Sequence, residues 1–152
     1  MKFIDTLKSR NGRPINFRKI EPRIEKFCGK FNIVLMYIFG SYALGNAGKI
    51  SDLDVAVLSE KGINLDKTLI LIEELQKIFA EEAVDFVDLK LAPLTLIHRV
   101  LKEGRCLYAQ SLEVKIEFET KKESLYYDTA FLRKEHFEAM KRRIRNGSFG
   151  YR

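Results

Sequence analysis

Three aspartates carry the strongest chemical signal in the chain. Asp52 and Asp54 flank Leu53 at the head of an apolar run, DLDVAVLS. Read as a strand, the run sends both carboxylates to one face and Leu53 and Val55 to the other. At a rise of about 3.3 Å per residue, their backbones stand roughly 6–7 Å apart. Like charges so placed repel and raise a pKa unless a cation joins them. Mg²⁺ is suited to the task, taking hard oxygen ligands, commonly one or two carboxylates plus phosphates. A third carboxylate comes from VDFVDL, which offers Asp85 and Asp88. These lie three apart and face opposite sides of a strand, so only one can join the pair. Asp85, which opens the strand and shares its face with Val87, is favoured. Three carboxylates can hold two ions roughly 3.5–4 Å apart, one activating a hydroxyl and the other neutralising a leaving pyrophosphate. That suits in-line displacement at an α-phosphorus, with Asp85 as candidate general base.

Gly40-Ser41 precedes the D-x-D pair by ten residues. Gly40 closes the apolar run NIVLMYIF and can take a positive φ. A helical turn starting there would point free N–H groups beyond the strand end, where they hold phosphate, with the Ser41 hydroxyl adding a hydrogen bond. A D-x-D alone arises often at strand ends. The order strand, Gly-Ser, ten residues, D-x-D strand, then a later V-D-hydrophobic strand is far more demanding.

The surrounding pattern supplies elements to position these residues. Residues 15–31 space Ile20, Ile24, Phe27 and Phe31 at helical intervals, with Pro22 placed in an early turn. Runs 32–39, 52–59 and 84–91 read as strands. Asp66 is the expected cap of a helix over 67–83. A further helix spans 92–104, with Pro93 at its start and Gly104 as its stop. CLY at 106–108 is a candidate short strand, and 112–145 is helical with a break near Tyr127 to Thr129. The fold class is α+β: a small mixed sheet packed with helices, with residues 1–110 as the core and 111–152 as a helical extension of the same domain.

The stretch FGSYALGNAGKISDLDVAVL resembles the signature of the DNA polymerase β-like nucleotidyltransferase superfamily, in its minimal nucleotidyltransferase (MNT) branch. VDFVDLKLAPLTLIHRVLKEGRCLY resembles the segment that follows in that branch, and the helical C-terminus is similar to that of MntA-type antitoxins. The resemblance covers about residues 31–145. It implies catalytic and metal-binding roles for Asp52, Asp54 and Asp85, nucleotide contacts from Gly40 and Ser41, Mg²⁺ as cofactor and ATP as donor. It also implies a partner, a HEPN-domain ribonuclease toxin that such antitoxins silence by adding AMP to a tyrosine. One departure stands out: relatives commonly carry Arg where this chain has Leu44, and Lys49 is the candidate substitute.

The bulk composition is compatible with this resemblance. At 152 residues, with 46% hydrophobic and 32% charged residues, the chain has the size and balance of one folded domain. Its net charge of +6 is unevenly spread. Residues 1–30 hold 9 Lys/Arg against 3 Asp/Glu, 31–120 hold 9 against 14, and 121–152 hold 9 against 4. An acidic middle suits divalent cations, and basic flanks suit a polyanion or an acidic protein face, unless they are ordinary solvated helix faces. Cys28 and Cys106 match no metal or redox spacing and read as free thiols of a cytoplasmic protein. No apolar run has the length of a signal peptide or a membrane span. His98 reads as a solvated or core-edge residue and His136 as exposed. Phe118, Tyr126, Tyr127, Phe131 and Phe137 read as core or oligomer interface rather than a base-stacking platform. The competing functions are an antitoxin acting by contact alone, a transferase for a small-molecule acceptor, and a basic RNA-binding protein.

Overall fold

The computed structural model describes residues 7–8, 14–48, 50–81 and 83–147. Lys49 therefore lies outside the described residues, and its proposed stand-in role with it. A two-residue antiparallel pair, β1 (Leu7–Lys8) and β2 (Pro14–Ile15), precedes the main body. The sequence pattern gave no sign of it, since two residues are too few to show a period.

Helix α1 (Phe17–Phe31) buries Phe17, Ile24, Phe27 and Cys28. Pro22 lies inside this helix, one turn later than its ring favours, because a proline there removes the bond to the carbonyl four residues back. The apolar stripe outweighs that local cost. Asn32 ends the helix in the left-handed region at φ 54, which asparagine tolerates better than most residues. Strand β3 (Ile33–Phe39) follows, buried at every position. It then turns at Gly40 into the short helix α2 (Gly40–Leu44). Strand β4 (Leu53–Ser59) starts one residue after Asp52.

Helix α3 (Leu65–Phe79) begins earlier than expected and ends earlier too. Its cap is Asn64, whose side chain accepts from the Lys67 N–H at 2.9 Å, while Asp66 sits in the first turn. Asn64 has the extended backbone that an N-cap needs, so it takes the position expected for Asp66. The α3 C-terminus receives Arg23, which donates through Nη2 to the Lys77 carbonyl at 2.9 Å. Strand β5 (Val84–Asp88) is shorter than the apolar run suggested. Asp88 turns the chain away, its Oδ1 accepting the Lys90 N–H at 2.9 Å. Helix α4 (Leu94–Glu103), strand β6 (Arg105–Ala109), and helices α5 (Leu112–Asp128) and α6 (Ala130–Arg145) complete the chain.

The sheet runs β5-β4-β3-β6, with β3 antiparallel to both neighbours and β4 parallel to β5. This is the mixed sheet of the α+β reading. Helices cover both faces, which is why β3 shows no polar alternation. One face joins Met36, Ile38, Leu53, Val55 and Val57 to α1 and α3. The other joins Leu35, Tyr37, Phe39 and Ala56 to Ile97 and Val100 of α4. On this second face the buried Tyr37 hydroxyl donates to Glu119 of α5 at 2.8 Å, tying the helical extension to the central strand. Ser111 caps α5 by accepting the Val114 N–H at 3.2 Å. The Tyr126 ring is held between His98, stacked at 3.7 Å, and the Arg133 guanidinium, also 3.7 Å from its centre. No helix among the described residues is long and apolar enough to cross a membrane.

Candidate active site

The alternation along β4 decides where the aspartates go. Leu53, Val55 and Val57 fill the α1–α3 face, so Asp54 projects toward the α4 face with Ala56. Asp54 is the Cα partner of Phe39 on one side and of Asp85 on the other. The parallel register thus sets Asp54 and Asp85 beside each other on one face. Asp88 pairs with Val57 at the opposite end of β5 and spends its carboxylate on the turn. Asp52 precedes β4 and is exposed, as is Asp85, while Asp54 is half-buried. Asp52 thus stands one residue ahead of β4 rather than within the strand expected over 52–59, while Asp54 and Asp85 lie side by side near the start of the parallel pair. A backbone bond from the Leu53 N–H to the Ala83 carbonyl, 2.9 Å, closes that end.

The electrostatics follow from this placement. Burial raises the Asp54 pKa above its ordinary value, the Asp85 carboxylate raises it further, Arg99 lowers it, and Asp52 raises it. Asp54 is thus electrostatically coupled to both other carboxylates and to the Arg99 guanidinium. Among the described residues, no three His, Cys, Asp or Glu side chains are gathered tightly enough to enclose an ion. The donor set is nevertheless all carboxylate oxygen, which fits Mg²⁺ rather than a softer metal. Asp52, Asp54 and Asp85 are the residues that would hold it.

Gly40 fits against this group. Its φ is +68, and a Cβ on it would overlap the Asp54 carboxylate, lying 3.1 Å from the carboxyl carbon. Only glycine satisfies both conditions. Helix α2 then starts with no side chain capping its first N–H groups. Tyr42 and Ala43 are buried and fix the turn, Ser41 is half-buried at its start, and Gly45 closes it at φ +75. The departure from the relatives, Leu44, is 56% exposed and points no charge anywhere. The Arg99 charge that acts on Asp54 comes from α4, and nothing in the D-x-D or Gly-Ser pattern announces it.

A mixed sheet carrying paired aspartates beside a Gly-Ser turn defines a nucleotidyltransferase fold, and the chain belongs to the Polymerase beta, Nucleotidyltransferase family, whose model matches residues 22–113. Within that class, the protein adenylyltransferase MntA of Shewanella oneidensis is 32% identical over 92 residues, 60% of this chain and 65% of the relative. The match thus spans just under two thirds of that protein's length. Two solved structures share the fold. A mutant MntA–HpeT toxin–antitoxin complex superimposes with a TM-score of 0.69 at 25% identity, covering 80% of this chain and 98% of its own. A toxin–antitoxin complex with AMP-PNP gives 0.69 at 27% identity, with the same coverage.

Proposed function

We propose that this protein is a Mg²⁺-dependent adenylyltransferase of the cytoplasm, which moves AMP from ATP to a hydroxyl of a protein partner, a HEPN-type ribonuclease toxin, and so acts as its antitoxin. The observation that carries the reading is the parallel register of Asp54 on Asp85, with Asp52 and the Gly40-Ser41 turn at the same sheet end. The similarity to a protein adenylyltransferase, and to toxin–antitoxin structures of which one contains AMP-PNP, supports the donor and the class of partner. Two unpaired thiols are compatible with a reducing compartment.

In this reading Asp52, Asp54 and Asp85 would hold Mg²⁺, which when bound would supply charge neutralisation to the triphosphate and lower the pKa of a hydroxyl beside it. The backbone around Gly40 and the Ser41 hydroxyl hold phosphate oxygens. Asp85, exposed near the start of β5, takes the proton of the acceptor hydroxyl as its oxygen attacks the α-phosphorus. The bond from that phosphorus to the bridging oxygen breaks, pyrophosphate leaves with the electron pair, and AMP remains on the acceptor. The reading is tested with α-labelled ATP and Mg²⁺ on the chain with its candidate toxin. Label on the toxin supports it. A toxin silenced without label sinks the catalytic claim and leaves an antitoxin acting by contact.

A further inference from the structure

Strand β5 lies at the edge of the sheet, with β4 on its inner side. Two backbone bonds fix the phase of that pairing. The Leu53 N–H donates to the Ala83 carbonyl at 2.9 Å, and the Leu89 N–H donates to the Val57 carbonyl at 2.8 Å. In a parallel ladder the bonds are evenly spaced, and every second residue turns its N–H and C=O to the same neighbour. Ala83, Asp85, Val87 and Leu89 therefore face β4, while Val84, Phe86 and Asp88 face the other way. The Asp88 carbonyl is used by the turn, accepting from the Leu91 and Ala92 N–H groups at 3.1 and 2.9 Å. Among the described residues, the N–H and C=O groups of Val84 and Phe86 meet no backbone partner on the outer side. Natural sheets commonly blunt such an edge with a bulge or a proline. The β5 register is unbroken, and the strand contains no proline. Asp85, which is exposed, sits between the two residues whose backbone groups face outward. Its side chain shares the face of Asp54, while Phe86 packs on the α1–α3 face.

We propose that the outer edge of β5 is the acceptor site: an extended segment of the protein acceptor pairs with Val84 and Phe86 as an added strand and so brings its hydroxyl to Asp85. The assignment rests on the adenylyltransferase reading above and names how its acceptor is held. Strand addition draws its affinity from main-chain hydrogen bonds, and the alternation of side chains sets which residue is presented. A residue directly opposite Asp85 and on its face has its Cβ about 4.5–5.5 Å away, within reach of a hydroxyl. The Asp85 backbone is held by β4, so the incoming strand leaves the carboxylate in place. The occupant must present free N–H and C=O groups, so it is a segment that is unstructured or extended around its hydroxyl residue. A hydroxyl within a helix has its neighbouring backbone groups already bonded and does not fit.

The experiment compares Phe86→Pro with Phe86→Ala in the full chain. Proline at 86 removes the outward N–H and sets its ring in the path of an added strand, while the bonds to β4, which residue 86 does not make, remain. Alanine keeps the N–H and controls for the lost packing of the Phe86 ring. With α-labelled ATP and Mg²⁺, kcat/KM for labelling of the candidate toxin should fall about tenfold further in Phe86→Pro than in Phe86→Ala, the scale of one lost backbone hydrogen bond. Calorimetric titration with AMP-PNP should give the two variants the same affinity. Equal labelling by the two variants would overturn the assignment while leaving the adenylyltransferase reading intact. A Phe86→Pro chain that also loses AMP-PNP affinity would show that the substitution acts through the aspartates, and would overturn it as well. Should Phe86→Pro fail to fold, Val84→Pro against Val84→Ala makes the same comparison at the first residue of the strand, where proline is tolerated. A wild type that labels no toxin would remove the adenylyltransferase reading and the edge assignment together.

Discussion

The Asp54 carboxylate occupies the space that any side chain at position 40 would need. Gly40 has φ +68, and a Cβ placed on it lies 3.1 Å from the Asp54 carboxyl carbon. Gly45 has a similar φ of +75 but nothing within 4 Å of a Cβ. The pair separates backbone strain from damage to the site. Each Gly→Ala change should cost on the order of 1 kcal/mol from the left-handed backbone. Gly40→Ala should also displace Asp54 and remove most AMP transfer, while Gly45→Ala keeps it. Thermal melts and the labelling assay on both variants decide this. Equal activity would mean that the close approach does not matter.

Asp54 is held where its charge is costly. Burial and then Asp85 raise its pKa, Arg99 lowers it, and Asp52 adds to the rise. A raised carboxylate pKa means the ionised form is destabilised in the folded chain relative to the unfolded one. In EDTA at neutral pH, Asp54→Asn should therefore melt higher than the wild type although it transfers no AMP. Added Mg²⁺ should raise the wild-type Tm more than that of the variant, since ligand binding to the folded state stabilises it. A variant that melts lower in EDTA would show that the Asp54 carboxylate stabilises the fold instead.

Cys106 offers a check on the other end of the sheet. Burial pushes its thiol up to about 11, with Lys115 lowering it, and Glu119 raising it. The ordinary value for a cysteine thiol is 9.0. With the folded pKa raised, any stability tied to the protonated thiol is intact below pH 9 and lost as pH rises through about 11. In a Cys28→Ala background, alkylation of Cys106 at pH 8 should run about 100-fold slower than that of a free thiol, because the thiolate reacts. The rate should keep rising with pH beyond 9. A plateau near pH 9 would place the thiol in an ordinary environment.

The cap of α3 gives a fourth test. Asn64→Ala removes the acceptor for the Lys67 N–H and should cost about 1 kcal/mol. Asp66→Ala removes only a first-turn charge and should cost less, about 0.3–1 kcal/mol. Denaturant titration of both variants ranks them, and the reverse order would restore Asp66 as the cap.

What could be read from the sequence depended on how local its cause was. The β3 turn at Gly40, the D-x-D at the start of β4 and the helical extension broken at Thr129 all leave short-range marks, either alternation, a glycine, or an apolar period. Alternation leaves room for only one of Asp85 and Asp88, Asp85 is preferred because it opens the strand and shares its face with Val87, and the register sets Asp85 beside Asp54. Pro22 sits deeper in α1 than an early turn because packing of Ile24 and Phe27 outweighs its local cost, and the α3 cap falls on Asn64 rather than Asp66 because residue 64 has the extended backbone a cap needs. Arg99 and the His98–Tyr126–Arg133 stack left no mark at all. They depend on where α4 lies over the sheet and against α5, and that is fixed by Ile97 and Val100 meeting residues some 40–60 positions earlier. The two-residue pair β1–β2 was invisible for want of length.

The most direct measurement is transfer of label from α-labelled ATP, in Mg²⁺, to the candidate toxin by the wild type, Asp52→Asn and Asp54→Asn. The account predicts label on the toxin with the wild type and none above background with either variant, while all three chains remain folded. Label that persists in Asp54→Asn would contradict the site at the head of β4, and a wild type that silences the toxin without labelling it would contradict catalysis itself.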